Sequence, residues 1–248
     1  MKNFKPNSII CQDIKNIKDV IPENSIDLSI VHPPYSYFED DEKFSNQLKD
    51  ILAKINHVTK PGGILCIILS DDINPKNNSM NMIAAKTILH LADPNANNSD
   101  WRMQDEIIWV KSPKKEAEQM GKGILVDFEK TPFSSVYVLE KKGSNFEFVN
   151  RQERTKNSRI SENKKMEILD SIWFIQPKSE REFKDRLPKE LIIRLILLFS
   201  KENDLVFDPF SCDGITGIVS KVLKRYYLCL VDDDEKIILV KKRLEKYS

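Results

Sequence analysis

The hydrophobic positions of this chain follow two alternating spacings along its length. Continuous apolar runs such as 64–69 predict buried strands, whereas apolar residues three and four apart, as in 44–57, predict helices with one buried face. The predicted strands are 26–31, 64–69, 103–110, 134–140, 205–207 and 226–231. The predicted helices are 44–57, 80–92, 188–200, 215–223 and 233–247. Strands that alternate with helices predict an α/β fold, doubly wound, with a mostly parallel sheet and helices on both faces.

Polar segments interrupt this pattern and indicate how the chain is divided. Residues 112–130 are charged and typical of a long loop, and the Lys-Pro-Gly-Gly sequence at 60–63 predicts a turn. Between residues 150 and 166 there are six Lys or Arg residues and two acids, which is typical of an insertion rather than of a core element. We therefore predict one domain with a first half at 1–143 and a second half at 171–248, joined by a short polar insertion at 144–170.

Composition and charge narrow the class of protein. The chain has 248 residues, of which 40% are hydrophobic and 31% charged, as is typical of a soluble globular protein. Its 39 Lys or Arg residues balance 38 Asp or Glu residues, which excludes a uniformly cationic surface but allows a local basic face. No apolar run approaches the length of a membrane span, and the N-terminal segment lacks the features of a signal peptide. We expect a cytoplasmic protein that does not associate with membranes.

The cysteines and histidines do not predict a metal site. Four cysteines, at positions 11, 66, 212 and 229, are widely spaced and form no Cys-x-x-Cys pair. Each lies in or beside an apolar segment, which favours buried thiols over disulfides or a zinc site. The three histidines are scattered along the chain. We therefore expect reduced cysteines and no bound metal.

A stiff corner follows the first predicted strand, at 31–35 (Val-His-Pro-Pro-Tyr). Two consecutive prolines end a strand and a helix alike. Such a corner presents a carbonyl acceptor, a polar side chain and an aromatic face at one edge of the sheet. Recognition of an amino group on a flat heterocycle requires those three features. Taken alone, the motif is equally compatible with a rigid turn that packs a tyrosine.

A second motif, at 206–216 (Val-Phe-Asp-Pro-Phe-Ser-Cys-Asp-Gly-Ile-Thr), runs from a strand through a tight turn into a helix. In a doubly wound fold this kind of turn binds nucleotide-like cofactors, because the backbone can approach the ligand closely there. The turn contains a single glycine, so the motif alone is also compatible with an ordinary connection between a strand and a helix.

Together the two motifs resemble those of the β-class DNA amino-methyltransferases. In that family a catalytic motif (Asp, Asn or Ser, then Pro-Pro-Tyr) precedes a cofactor motif (Asp-Pro-Phe-x-Gly-x-Gly-Thr), and the order here is the same. Further segments that are similar to the family are 7–35, 60–71, 105–109 and 188–200. The resemblance implies a Rossmann-like methyltransferase fold with permuted motif order. It also implies methylation of cytosine N4 or adenine N6 with S-adenosylmethionine as cofactor, and segment 188–200 favours the cytosine-N4 branch.

The resemblance assigns roles to individual residues. Tyr35 would stack on a base that is flipped out of double-stranded DNA. The Pro33 carbonyl and the His32 side chain would accept hydrogen bonds from the amino group of that base, and Pro34 completes the predicted catalytic set. Asp13 would hold the adenine of the cofactor. The predicted cofactor-binding residues are Asp13, Asp208, Pro209, Phe210, Cys212, Gly214, Thr216 and Asp232.

Three positions depart from the family pattern. His32 stands where the family has Asp, Asn or Ser, and only a neutral imidazole can accept a hydrogen bond. Cys212 replaces the first glycine of the cofactor loop. Val231 aligns with the acid that binds the ribose, although Asp232 follows one residue later. These departures leave a second hypothesis open, namely a catalytically inactive subunit that binds DNA or supports an active partner methyltransferase.

The polar insertion is the predicted DNA-binding region. Its basic residues would reach phosphates or base edges, or would form a solvated loop without that role. These residues are Arg151, Arg154, Lys156, Arg159, Lys164 and Lys165. Because the insertion is short for a recognition region, we also consider a homodimer, or a heterodimer with a second methyltransferase subunit.

Overall fold

The structure, a computed structural model, describes residues 5–34, 41–71, 73–74, 79–80, 82–92, 100–111, 133–143, 162–177, 186–231 and 233–246. The strands in these ranges are β1 (Ser8–Cys11), β2 (Ile26–Val31), β3 (Thr59–Leu69), β4 (Ile73–Asn74), β5 (Ser79–Met80), β6 (Trp101–Val110), β7 (Phe133–Lys141), β8 (Ile172–Phe174), β9 (Leu205–Asp208) and β10 (Tyr226–Val231). The helices are α1 (Asp41–Val58), α2 (Ile83–Ala92), α3 (Glu162–Leu169), α4 (Lys189–Phe199), α5 (Ile215–Val222) and α6 (Asp234–Glu245), and a 3-10 helix spans Ile14–Asp19. Among these helices none is both long and apolar enough to cross a lipid bilayer.

Eight of these strands form one mixed sheet in the order β1-β10-β9-β2-β3-β7-β6-β8. The five pairs β1–β10, β10–β9, β9–β2, β2–β3 and β6–β8 are parallel, whereas β7 runs antiparallel to both β3 and β6. The predicted α/β class with a mostly parallel sheet is therefore confirmed. The central position of β2 and β9 places strands from distant parts of the chain side by side.

Helices cover both faces of the sheet because the strands alternate their side chains between two cores. On β3, Leu65, Ile67 and Leu69 pack with α1, α2 and the 3-10 helix. The intervening Cys66 and Ile68 pack with α4 and α5 on the opposite face. A third cluster joins α6 to β1, β10 and α5. This alternation explains why the strand sequences read as continuous apolar runs.

The predicted turn at 60–63 lies inside β3 as a bulge. Ile26 pairs with Thr59 and Leu28 pairs with Ile64, so four residues of β3 lie opposite Asp27 alone. Asp27 holds this irregularity in place, since one carboxylate oxygen accepts from Lys60 Nζ at 2.6 Å. Its other oxygen accepts from the backbone N–H of Leu205 at 2.8 Å, at the start of β9. A single side chain therefore joins three neighbouring strands at their shared end.

Several elements differ from the sequence predictions. The helix expected at 80–92 begins at Ile83, because residues 79–80 belong to the short strand β5. The sequence does not predict the edge strands β1 and β8, since each is too short to give a clear alternation. The expectation of buried cysteines is correct for Cys66 and Cys229. It is wrong for Cys11, which ends an edge strand with its side chain exposed, and Cys212 is half-buried.

The end of the predicted polar insertion is a helix that joins the core. Ile168 of α3 is fully buried in the cluster formed with α4. Arg194 of α4 is 7% exposed and lies over the Trp173 ring at 5.4 Å. The same guanidinium donates to the Glu167 backbone carbonyl at 3.0 Å and to the Glu190 carboxylate at 2.9 Å. The predicted boundary at residue 170 therefore follows an anchored helix, and the division into two halves and an insertion stays a prediction.

Candidate active site

The two sequence motifs meet at one edge of the sheet. β2 and β9 are parallel neighbours, with Leu28 opposite Val206 and Ser29 opposite Phe207. Their carboxyl ends therefore point the same way, and the residues that follow them line a common cleft of ≈ 270 Å³. The lining residues are His32, Leu187, Asp208, Phe210, Cys212, Asp213, Ile215 and Thr216. This juxtaposition is the spatial relation that the sequence interpretation requires.

The proline corner directs His32 towards the cleft. Pro33 is buried behind the end of β2, whereas His32 and Pro34 are half-buried. The buried proline fixes the chain as it leaves the sheet, so that the preceding side chain faces the residues after β9. Tyr35, the predicted stacking residue, lies outside the described residues.

Asp208 organises the turn that follows β9. Its Oδ2 accepts a hydrogen bond of 2.6 Å from the Thr216 hydroxyl, and its Oδ1 accepts one of 3.1 Å from the Phe210 N–H. These bonds tie the end of the strand to both the turn and the first turn of α5. The Ser211 N–H donates to the Leu230 carbonyl at 3.0 Å, which fastens the same turn to β10. Asp208 therefore lines the cleft and shapes it.

The charge state of Asp208 is unusual for a carboxylic acid. Burial raises the pKa of Asp208 to about 7, against the opposing effect of the hydrogen bonds from Thr216 and Phe210. The nearby carboxylate of Asp213 raises this pKa further. At neutral pH the side chain consequently exchanges between its neutral and ionised forms, both of which can hold the two observed donors.

Gly214 is required by the backbone at the start of α5. Its φ is +73°, in the left-handed region where residues with a Cβ are strained. A Cβ at this position would also lie 2.2 Å from Cγ1 of Val240 in α6. Glycine therefore permits both the turn and the close approach of the last helix.

The backbone at Cys212 tolerates a side chain. Left-handed φ values in this turn occur at Gly214 and not at Cys212, so the missing glycine causes no backbone strain there. The half-buried thiol lines the cleft beside Phe210. Val231 is 3% exposed and packs in the core with Ile9 and Val240, so it faces away from solvent. Asp232, the predicted source of the ribose carboxylate, lies outside the described residues.

Asp13 lies at the same edge of the sheet, beyond β10. It follows β1, whose last residue pairs with Val231, and its carboxylate accepts from the Lys15 N–H at 2.8 Å to cap the 3-10 helix. Three strand spacings separate β1 from β2, or about 14 Å. Asp13 is exposed and so lies at the far end of an edge that begins at the proline corner.

The structure describes two of the six predicted DNA-binding residues. Lys164 is already engaged on α3, because its Nζ contacts Glu190 at 2.5 Å and Glu167 at 3.2 Å. Burial acts to lower the pKa of Lys164, but the hydrogen bonds to the two glutamates raise it on balance. Lys165 is half-buried on the same helix. The other four lie outside the described residues; they are Arg151, Arg154, Lys156 and Arg159.

Sequence reasoning missed three residues that line the cleft. Asp213 and Ile215 lie within the second motif but received no role, and Leu187 lies just before α4. The sequence carried one signal for Asp213, since an acid directly before a glycine and a helix start often caps that helix. The part played by Leu187 depends on tertiary packing between α4 and the turn, for which no local pattern exists.

Comparisons with known proteins agree with this geometry. Residues 26–242 match the model of the N6/N4 methyltransferase family of DNA methylases. The chain therefore belongs to this family of DNA methylases.

Individual relatives cover the chain to different extents. The chain is 24% identical over 238 residues to the type II methyltransferase M.BglII of Bacillus subtilis, which covers 89% of this chain and 64% of M.BglII. It is 19% identical to the orphan methyltransferase M.BamHII of Bacillus amyloliquefaciens, with 93% of each chain covered. A match of 59 residues to the type II methyltransferase M2.LlaDCHI of Lactococcus lactis subsp. cremoris is 41% identical and spans 24% of this chain but 22% of that relative.

Solved structures share the fold. The DNA modification methylase TTHA0409 of Thermus thermophilus, complexed with S-adenosyl-L-methionine, superimposes with a TM-score of 0.74 at 22% identity, covering 96% of this chain and 93% of that chain. The cytosine-N4-specific PvuII DNA methyltransferase has a TM-score of 0.74 at 15% identity, covering 99% of this chain and 94% of that chain. At these identities the likeness establishes the Rossmann-like methyltransferase fold.

Substitution of Gly214 tests the contact between the turn and α6. We expect Gly214→Ala to lower the free energy of unfolding by about 2–4 kcal/mol, from left-handed strain and the clash with Val240. Urea denaturation of the single variants and of Gly214→Ala/Val240→Ala measures the coupling. The smaller residue at 240 should relieve the clash, so that the double variant is less destabilised than the sum of the two single changes. Simple additivity would contradict the contact.

The raised pKa of Asp208 predicts a pH-dependent stability. The folded state retains a proton that the unfolded chain, with an ordinary pKa of 3.8, releases. The resulting stabilisation is complete below the unfolded pKa and is lost as the pH rises towards 7. Asp208→Asn mimics the neutral acid, so wild-type stability should fall relative to this variant by on the order of a few kcal/mol between pH 4 and pH 7.5. A pH-independent difference in urea midpoints would refute the assignment.

Proposed function

We propose that this chain is an S-adenosylmethionine-dependent DNA methyltransferase that methylates an exocyclic amino group, with cytosine N4 as the preferred target. The observation that carries the proposal is the single cleft shared by His32 and by Asp208, Phe210 and Thr216 of the second motif. Methyl transfer needs the acceptor amine and the cofactor to lie side by side, and these two motifs lie at neighbouring strand ends.

The residues around the cleft suit S-adenosylmethionine. Its lining, which falls within the described part of the chain, includes the two acids Asp208 and Asp213 and no lysine or arginine. This lining favours a positively charged sulfonium over the phosphates of a dinucleotide. Phe210 and Cys212 would contact the cofactor from the turn, and Asp13 would hold its adenine end. When bound, S-adenosylmethionine supplies a methyl group on positively charged sulfur.

The proline corner would orient the acceptor base. In the proposed complex the Pro33 carbonyl and the neutral His32 imidazole accept hydrogen bonds from the exocyclic amine, while Tyr35 stacks on the ring. The amine is thereby held with its nitrogen lone pair towards the methyl carbon. A new N–C bond forms as the C–S bond breaks, its electrons remain on sulfur, and the nitrogen loses one proton. Orientation and electrostatics supply most of the rate enhancement.

Access to the amine requires that the base leave the duplex, since the cleft lies at the edge of a rigid sheet. The predicted insertion would contact double-stranded DNA through Arg151, Arg154, Lys156 and Arg159. Lys164 contributes less in this proposal, because its ammonium already pairs with two glutamates on the scaffold. A homodimer or a second methyltransferase subunit would extend the short recognition region.

A second candidate function is a catalytically inactive subunit. It is favoured by His32 at the acceptor position and by Val231, whose buried side chain provides no carboxylate. This alternative predicts that the isolated chain does not bind the cofactor and that it acts only when mixed with an active partner. Micromolar calorimetric binding by the isolated chain would reject it.

The role of His32 is tested by three variants and labelled cofactor. We expect wild-type protein to transfer labelled methyl groups to DNA, and mass spectrometry of the hydrolysed nucleosides to identify the product. His32→Ala and Tyr35→Ala should lower the rate by about 100-fold or more, whereas His32→Asn, which keeps an acceptor oxygen, should retain substantial activity. Absence of transfer to any DNA by folded protein that binds the cofactor would defeat the proposal.

The DNA contacts are tested by the salt dependence of binding. Each phosphate contact that is lost should reduce the slope of log K against log salt by about 0.9. We therefore expect the combined replacement of Arg151, Arg154, Lys156 and Arg159 by Ala to flatten the slope, and Lys164→Ala to leave it nearly unchanged while lowering stability. Fluorescence anisotropy with a labelled duplex gives both slopes. An unchanged slope in the fourfold variant would reject these contacts.

A further inference from the structure

The turn between β9 and α5 contains a buried carboxylate that the family motif does not specify. Asp213 is 1% exposed, and its Oδ1 accepts from the Ile215 N–H at 3.1 Å to cap the start of α5. Its Oδ2 faces two guanidinium groups, with Arg243 Nη2 at 3.3 Å and Arg186 Nη1 at 3.6 Å. One oxygen therefore serves the local turn, and the other serves charges that arrive from distant parts of the chain.

The two arginines belong to separate structural elements. Arg243 lies in the last turn of α6, and Arg186 directly precedes Leu187, which lines the cleft. One helical turn before Arg243, Val240 packs where Gly214 lacks a Cβ. The last helix thus contacts the turn twice, once through an apolar side chain and once through an ion pair.

This arrangement links the electrostatics of Asp213 to the shape of the cleft. A carboxylate so deeply buried requires charged partners, because removal of one member of such a cluster leaves the others desolvated and uncompensated. The partners in turn fix where segment 186–187 and α6 lie. The side chains beside the cleft are therefore held by one shared charge rather than by the turn alone.

We propose that Asp213 is a positioning residue whose charge, through Arg186 and Arg243, holds the turn 208–214 in the conformation that binds the cofactor. The identity of that cofactor rests on the proposed function, whereas the constraint on the turn does not. The charge pair sets cofactor affinity and leaves the methyl-transfer step unchanged, because Asp213 acts on the turn and not on the acceptor base.

Two substitutions separate the charge from the helix cap. Asp213→Asn keeps an oxygen for the Ile215 N–H but removes the charge, whereas Arg243→Met removes one partner at the half-exposed end of α6. Lys242→Met, on the neighbouring exposed position of α6, is the matched control. The double variant Asp213→Asn/Arg243→Met measures the coupling between the two side chains.

Hydrogen exchange of the cofactor-free protein is the first measurement. We expect faster amide exchange at 210–217 in Asp213→Asn and in Arg243→Met, but not in Lys242→Met. The double variant should be no worse than the more affected single variant, because both changes disrupt one interaction. Unchanged exchange in both single variants would overturn the proposal.

Titration calorimetry and steady-state kinetics are the second measurement. We expect the Kd and the KM for S-adenosylmethionine to rise about tenfold in Asp213→Asn, with kcat within about twofold of wild type. Wild-type affinity together with faster exchange would overturn the link to cofactor binding. If the wild-type chain binds no cofactor, the proposed function fails, and the exchange data alone then decide whether the charge holds the turn.

Discussion

The parallel pairing of β2 with β9 is the constraint on which the site depends. These strands come from opposite ends of the chain, yet their register places the proline corner beside the Asp208 turn. Asp27 fixes the opposite end of the same pair through the Leu205 N–H, so the two strands are joined at both ends. A slip of one residue would turn every side chain to the other face and would separate the two motifs.

The packing around this pair assigns different tasks to the two faces of the sheet. Helices α1 and α2 cover one face with a continuous apolar cluster. On the other face, α4, α5 and α6 pack against the sheet and also hold the turn after β9. The polar groups of the site therefore emerge from a rigid apolar support, in which Thr216 and Asp208 are themselves buried. Such support is what preorganised binding requires.

The sequence predicted the central elements well because their patterns are local. The run 226–231 and the helix that contains Leu191 and Leu195 are apolar at the spacing of their secondary structure, and both were placed within one residue. Strand β1 was missed because four residues carry too little periodicity. The helical end of the insertion was missed because its stability depends on Arg194, which is distant in the sequence.

The candidate site was predictable to a similar extent. The motif residues from His32 to Thr216 could be selected by type and order, and the shared cleft of His32 and Asp208 agrees with that selection. The contacts of Asp213 with Arg186 and Arg243 could not be predicted, because ion pairs between distant segments leave no spacing in the sequence. For the same reason, the harmless backbone at Cys212 became evident only from its dihedral angles.

The attachment of α3 has an evolutionary consequence. The stretch that precedes this helix departs from β7 and returns to a helix held by Arg194, on the side of the sheet away from the turn after β9. Lineages can therefore exchange, lengthen or rewrite that stretch while the catalytic framework stays intact. A new target sequence could arise in this way by grafting, without any accompanying change in the machinery that handles the methyl donor.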